Sequence, residues 1–423
     1  MQQIRQQTVN DQHERSERLS HYAIEENTVS DSDMSFDSDS ENEYQSCPLC
    51  LFSYGTCTLA AFGVHEKLDI PVHRGSHQSS EFQAAVQEAF TRAEESGIKE
   101  PIIVGAIPFD TDEPSCLYIP QRHAWHTGAA SEQPRQQQGK FPSLSIRDQR
   151  AIPNETDFKA SVGKALEQLR GPNDIRKIVL AATRELDFDR AIDVAGLLSN
   201  LRIQNPDGYQ FRLRLPNDEE LVGVSPELLV RRRGNQVISN PLAGSARRSK
   251  DPKEDRRIAQ DLQDSEKDQY EHRLVIEDIN HVLRPFCTEL HVPHQPSLLS
   301  TSALWHLSTQ IEGVLREPAA TALEMACALH PTPAVCGHPT AVARNLIGQL
   351  ESFHRGFFTG TVGWMNSEGD GEWAVTIRCG VVNGRKIRLF AGAGMVPASN
   401  PDSEWAEIQT KLSTMLRACG IQD

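Results

Sequence analysis

Glu372-Trp-Ala-Val-Thr-Ile-Arg-Cys-Gly-Val-Val382, the turn Asn383-Gly384, and then Ile387-Arg-Leu-Phe-Ala391 decide the fold class. Two strand-like runs flank a dipeptide that closes a tight hairpin, so the runs pair antiparallel. Arg233-Gly-Asn235 marks a second short turn of this kind. Parallel neighbours would instead need a long crossover. Working outward, Tyr209–Leu215 and Glu220–Val224 are strand-like, and Tyr54–Val64 reads as short paired strands. Ile102–Phe109 reads as a buried strand and Ile175–Thr183 as a strand. Between them lie helical stretches. Phe82, Val86, Phe90 and Ala93 recur at helical spacing within Ser79–Ser96. Phe158–Leu169 is a helix closed by Gly171-Pro172. One long helix is expected from Glu254 to about Phe286, and a last one over Asp402–Ala418. The expected class is α+β, with large antiparallel sheets covered by helices. No internal repeat of fixed period is visible.

The chain has 423 residues and a formal net charge of -15. That balance argues against a nucleic-acid partner, which draws on clustered Lys and Arg. No apolar run is long enough to span a membrane, and the N-terminus lacks a basic region followed by an apolar one. A cytoplasmic protein is expected. Residues 1–46 are acidic and serine-rich, and are expected to be a disordered tail. Residues 47–423 are expected to be one catalytic domain, with a polar loop over about 128–140. Cys47 and Cys50 form an isolated Cys-x-x-Cys pair with no second pair to complete a zinc site; thiols at the domain entry are the expected reading.

The last helix carries Glu404, Glu407 and Lys411 on one face, beside an apolar stripe of Trp405, Ile408, Leu412 and Met415. A solvated Glu–Lys face would explain them as well. The helix follows Phe390-Ala-Gly-Ala-Gly-Met-Val-Pro397, however, where Gly394 and its neighbours permit close approach of a ligand to backbone. Asp268 and Glu271, three residues apart on the long helix, offer a matching pair. Two carboxylates from each of two helices would suit a hard divalent cation such as magnesium. Lys177 lies in an apolar strand; it either points outward from an edge or is buried and able to act as a base. Glu227 follows Ser225-Pro226 and is either a helix-start charge or a carboxyl in an apolar pocket, poised as a general acid. Gly244 and Ser245 lie in a small irregular segment that lets amides approach a carboxylate. Arg378, inside a strand-like run, and Lys411 could hold an acidic substrate. His306 is a core histidine or an active-site one. Ala334, Val335 and Phe358 belong to Pro/Gly-rich segments that could line a pocket.

As a set and in this order, seven segments resemble the chorismate-utilising enzymes. They are Val104-Gly-Ala-Ile-Pro-Phe-Asp110, Ser225-Pro-Glu-Leu-Leu229, Pro241-Leu-Ala-Gly-Ser-Ala-Arg-Arg248, Glu271-His-Arg-Leu-Val-Ile-Glu277, Leu304-Trp-His-Leu-Ser-Thr309, His330-Pro-Thr-Pro-Ala334 and Phe390-Ala-Gly-Ala-Gly394. The similarity runs from about Leu51 to Leu416, and is closest to the isochorismate synthases of catecholate siderophore pathways, the enterobactin type. The resemblance implies an α+β fold with two large antiparallel sheets in a single domain. It implies a magnesium-dependent isomerase that converts chorismate to isochorismate. In it, Lys177 is the general base that activates water toward C2, and Glu227 the general acid at the C4 hydroxyl. Glu271 and Glu407 are metal ligands, with Asp268 and Glu404 as flanking acids. Arg378 and Lys411 bind carboxylates; Gly244, Ala334, Val335 and Phe358 are pocket walls; His306 is the active-site histidine. Asp268 replaces the usual Glu, and the acidic tail departs from the bacterial pattern. The expected species is a monomer that passes its product to an isochorismatase. A salicylate synthase, and a non-catalytic homologue acting through its tail, are the alternatives.

Overall fold

A computed structural model describes residues 47–73, 75–77, 79–127, 144–172 and 174–421. The acidic tail and the polar loop over 128–140 lie outside the described residues. Residues 48–423 form one contact unit.

Antiparallel pairing dominates, as the hairpin turns require. Among the described residues the strands make sheets of ten, nine and three members. Across the ten-stranded sheet, the run from one edge is Gly337–His338, Lys177–Phe188, Lys386–Met395, Cys379–Asn383, Glu220–Ser225, Tyr209–Arg214, Cys50–Tyr54, Cys57–Phe62 and Arg122–Thr127. Its tenth strand, Ile146–Ile152, pairs off this path with Lys177–Phe188. The nine-stranded sheet centres on Leu228–Arg233, Gly371–Val375, Thr361–Asn366 and Ile102–Ile107. The small sheet consists of Leu242–Arg247, Leu304–Ser308 and Ser297–Ser300.

The two large sheets face each other. Phe52, Phe211 and Leu213 from one and Val104, Val362 and Trp364 from the other share a buried cluster. Each outer face is covered by helices, because alternate strand residues point that way. Ile178, Leu180 and Ala182 pack with Val162, Leu166, Ile408 and Leu412 of helices Glu155–Arg170 and Pro401–Ala418. Ile103, Ile107 and Trp373 pack with Phe82, Phe90, Val275 and Ile279 of helices Glu81–Glu95 and Glu266–Leu283. No helix among the described residues is long and apolar enough to cross a membrane.

Two expected elements are corrected. The helix expected over Glu254 to Phe286 is two helices, Pro252–Asp264 and Glu266–Leu283. Ser265 takes an extended conformation between them, and its hydroxyl accepts from the Asp268 amide, capping the second. The strand expected over Glu372–Val382 is also two. Gly371–Val375 belongs to the nine-stranded sheet and Cys379–Asn383 to the ten-stranded one. The chain crosses between sheets at Thr376–Arg378, where Arg378 adopts φ 50°. Glu220–Ser225 and Leu228–Arg233 make the same change of sheet through Pro226-Glu227. Backbone hydrogen bonds tie the crossings together: the Val375 amide donates to the Glu227 carbonyl, and the Val224 amide to the Arg378 carbonyl. Glu227 and Arg378 are therefore placed by one feature of the topology.

Candidate active site

A cavity of about 630 Å³, its open mouth included, lies at these crossings. Of the residues singled out from sequence, Glu227, Gly244, Ser245, Glu271, His306, Ala334, Val335, Phe358, Arg378, Gly394, Glu407 and Lys411 line it. Lys177, Asp268 and Glu404 stand behind its wall.

Lys177 opens its strand as Ile178, Leu180 and Ala182 turn to the helices, so Lys177 and Val179 face the inter-sheet side. It is buried and not at a solvent edge, since Gly337–His338 and Lys386–Met395 flank it. Its Nζ stands 3.0 Å from Glu271 Oε1. Register pairs Val179 with Gly394 and Ala181 with Gly392. Both glycines thus lie on the cavity side, where Glu271 and Lys177 approach. A Cβ on Gly394 would collide with Glu271 Oε1 and come within 3.1 Å of Lys177 Cε.

Glu227 is 3% exposed. Burial raises its pKa to about 7, although the Leu242 amide, Lys177, Arg378 and Lys411 all favour the anion. The group is thus balanced between acid and carboxylate near neutrality. Arg378 is buried too; desolvation lowers its pKa to about 10, against the pull of Glu407 and Glu227. The His306 ring is held neutral, first by desolvation and then by Arg378 and Lys411. Its Nε2 has no hydrogen-bond partner among the described residues. Ser245 pairs in register with His306 in the small sheet.

Helices Glu266–Leu283 and Pro401–Ala418 bring their acids together. Lys411 Nζ lies 2.5 Å from Glu407 Oε1 and donates to the Gly392 carbonyl at 2.7 Å. Burial pushes the Glu407 carboxyl up, but Lys411, Lys267 and Arg378 outweigh it, and the net direction is down. Glu404 is 1% exposed, and burial, with Glu407 adding, raises its pKa to about 7. Its Oε2 has no hydrogen-bond partner among the described residues. Asp268 is raised by burial, opposed by Ser265 and Lys267. All the donors are hard oxygens, the set magnesium takes. Among the described residues no three or more His, Cys, Asp or Glu groups make a ready metal cage. An ion held by one or two carboxylates, water and substrate oxygens fits this set; an all-protein cage does not.

Three features escaped the sequence reading. Lys267, one residue before Asp268, pairs with Glu404 at 3.2 Å. His272 donates from Nδ1 to the Ala243 carbonyl at 3.1 Å and accepts from the Thr309 hydroxyl at 2.7 Å, which fixes the segment before Gly244. Arg355 pairs with Glu351 and donates to the Val335 and Val179 carbonyls, joining two walls of the cavity. Each reads in sequence as an ordinary polar residue, because the contacts that tie it to the site, Glu404 for Lys267, Ala243 and Thr309 for His272, and Val179 for Arg355, are distant along the chain.

Residues 118–420 match the family described as chorismate binding enzyme. The isochorismate synthase DhbC of Bacillus subtilis (strain 168) is 43% identical over 358 residues, which is 83% of this chain and 89% of the relative. The isochorismate synthase EntC of Escherichia coli (strain K12) is 44% identical over 361 residues, 85% of this chain and 91% of the relative. A crystal structure from Bacillus anthracis, assigned as a 2,3-dihydroxybenzoate-specific isochorismate synthase, superposes with a TM-score of 0.82 at 38% identity, covering 91% of this chain and all of that one.

Proposed function

The chain belongs to the chorismate-binding enzyme family, and from that premise we propose that it is an isochorismate synthase, an isomerase that converts chorismate to isochorismate. The observation that carries the reading is the placement of Lys177 and Glu227. Both are buried and within electrostatic reach of each other beside one cavity, and Glu227 has a pKa of about 7. Lys177 takes the proton of the water that attacks C2. Glu227 gives its proton to the C4 hydroxyl as it leaves. The substrate enters as a dianion, which Arg378 and Lys411 attract. The neutral His306 ring and the backbone at Gly244 and Ser245 orient the ring, and Ala334, Val335 and Phe358 form its apolar walls. The cavity-lining Glu271 and Glu407 would hold Mg2+, with Asp268 and Glu404 behind them. The ion would supply charge neutralisation at the substrate carboxylate.

The Bacillus anthracis neighbour is described as 2,3-dihydroxybenzoate-specific, which supports a role in making 2,3-dihydroxybenzoate, and the resemblance to the enterobactin type extends that role to a catecholate siderophore. In this reading the enzyme is a cytoplasmic monomer whose product passes to an isochorismatase. The test is an assay of the purified chain with chorismate, Mg2+ and an isochorismatase, followed by chromatography. Isochorismate is the expected product. Accumulation of salicylate and pyruvate would make the chain a salicylate synthase, and chorismate left intact would make it a non-catalytic homologue.

A further inference from the structure

Three of the four acids that an ion could use each face a lysine amino group. Glu271 faces Lys177 at 3.0 Å, Glu407 faces Lys411 at 2.5 Å and Glu404 faces Lys267 at 3.2 Å. Lys177 and Lys411 have other tasks in the proposed reaction. Lys267 has none. Its ammonium lies within electrostatic reach of Glu404, Glu271, Asp268 and Glu407 together. It lies on the first turn of its helix, one residue before Asp268 and four before Glu271. Glu404, its partner, is buried and keeps Oε2 without a hydrogen bond among the described residues. Burial disfavours its charged form unless a cation stands nearby. In this structure Lys267 is that cation.

We propose that Lys267 is the resident counter-ion of the acidic cluster, that a divalent cation held by Glu271 and Glu407 displaces it from this cluster, and that Lys267 thereby sets the affinity for the ion. The proposal rests on the magnesium reading above and deepens it. Its physical basis is charge competition. A divalent ion and an ammonium that share these carboxylates repel each other, and Lys267, unlike Lys177 and Lys411, has no part in the proposed reaction that would keep it there. The long lysine stem lets the ammonium move aside while the fold stays in place.

The experiment is a calorimetric titration of the full chain with MgCl2, without substrate and again with chorismate. The parent is compared with Lys267→Met, Lys267→Gln and Lys267→Arg. Circular dichroism verifies that each variant is folded. Both neutral variants should bind Mg2+ about tenfold more tightly than the parent, and Lys267→Arg should stay near it. Without added metal, the neutral variants should melt at lower temperature than the parent, and Mg2+ should remove the difference. Neutral variants that bind Mg2+ no more tightly than the parent overturn the proposal. Should one neutral variant not fold, the other decides. A parent that binds no Mg2+ even with chorismate present refutes the metal reading itself, which separates the two failures.

Discussion

At Glu227 a carboxyl group that is 3% exposed sits where the chain passes from one sheet to the other, and its pKa of about 7 makes it a usable acid near neutrality. Removing the proton while keeping the shape isolates that role. Glu227→Gln should lower turnover about 10²–10⁴-fold with little change in KM, and Lys177→Ala should do the same; a near-normal rate in either variant strips that residue of its part. Glu227 also carries a stability signature. Its pKa is raised from 4.5 in the unfolded chain to about 7 in the fold. The folded state therefore keeps a proton that the unfolded state releases, so stability is lost as pH rises through this window. Gln does not titrate. Measured by urea unfolding, the parent should lose on the order of 3 kcal/mol relative to Glu227→Gln between pH 4 and 8, with the loss confined to that interval. A constant difference across the range would mean that the carboxyl is not desolvated.

Strands and helices decide which of these side chains could be read in advance. Lys177 was ambiguous in sequence because a lysine in an apolar run suits a sheet edge as well as an interior. The neighbour strand Lys386–Met395 removes the ambiguity, and that pairing is distant in sequence. Glu404, Glu407 and Lys411 were legible as a face because helical spacing is local. That they meet Asp268 and Glu271 was not, since the meeting depends on how two helices pack. The unexpected breaks at Ser265 and Thr376–Arg378 have one cause. Local pattern carried the strand and helix periods through both points, while capping in one case and a change of sheet in the other ended the element. Gly394 shows how an element can serve the site more than the fold. Its backbone is not in the positive-φ region, so Ala is conformationally allowed, yet the added methyl would displace Glu271. Gly394→Ala should lower turnover about 10²-fold and cost about 1–3 kcal/mol of stability, because the methyl crowds the buried Glu271–Lys177 pair. Gly105→Ala is the contrast: its φ is 149° and its Cβ would strike the Cys116 carbonyl, so it should lose stability first. Equal activity in Gly394→Ala and the parent would show that Glu271 need not stand where the structure puts it.

Across the whole molecule, two face-to-face sheets exclude water from their shared interior, and both crossings open it at one place. The groups there are of both signs: Lys177, Arg378 and Lys411 against Glu227, Glu271 and Glu407. A dianionic substrate adds negative charge to a site whose carboxylates are already matched by lysines. A divalent ion held by Glu271 and Glu407 would offset that excess, with Lys411 beside Glu407 and Arg378 adding their charge. Chelation should therefore stop turnover by weakening the binding of substrate, while the fold remains. With EDTA, the chain should keep its circular dichroism spectrum, convert no chorismate, and recover fully on addition of excess Mg2+. Because the proposed acid and base serve water addition and hydroxide loss alike, isochorismate supplied to the same protein should return chorismate, with the same demand for Mg2+. Turnover that persists under chelation would remove the ion from the scheme. Conversion that runs in one direction only, with pyruvate released, would mean that the cavity eliminates the side chain of its substrate and does not simply exchange one hydroxyl position for another.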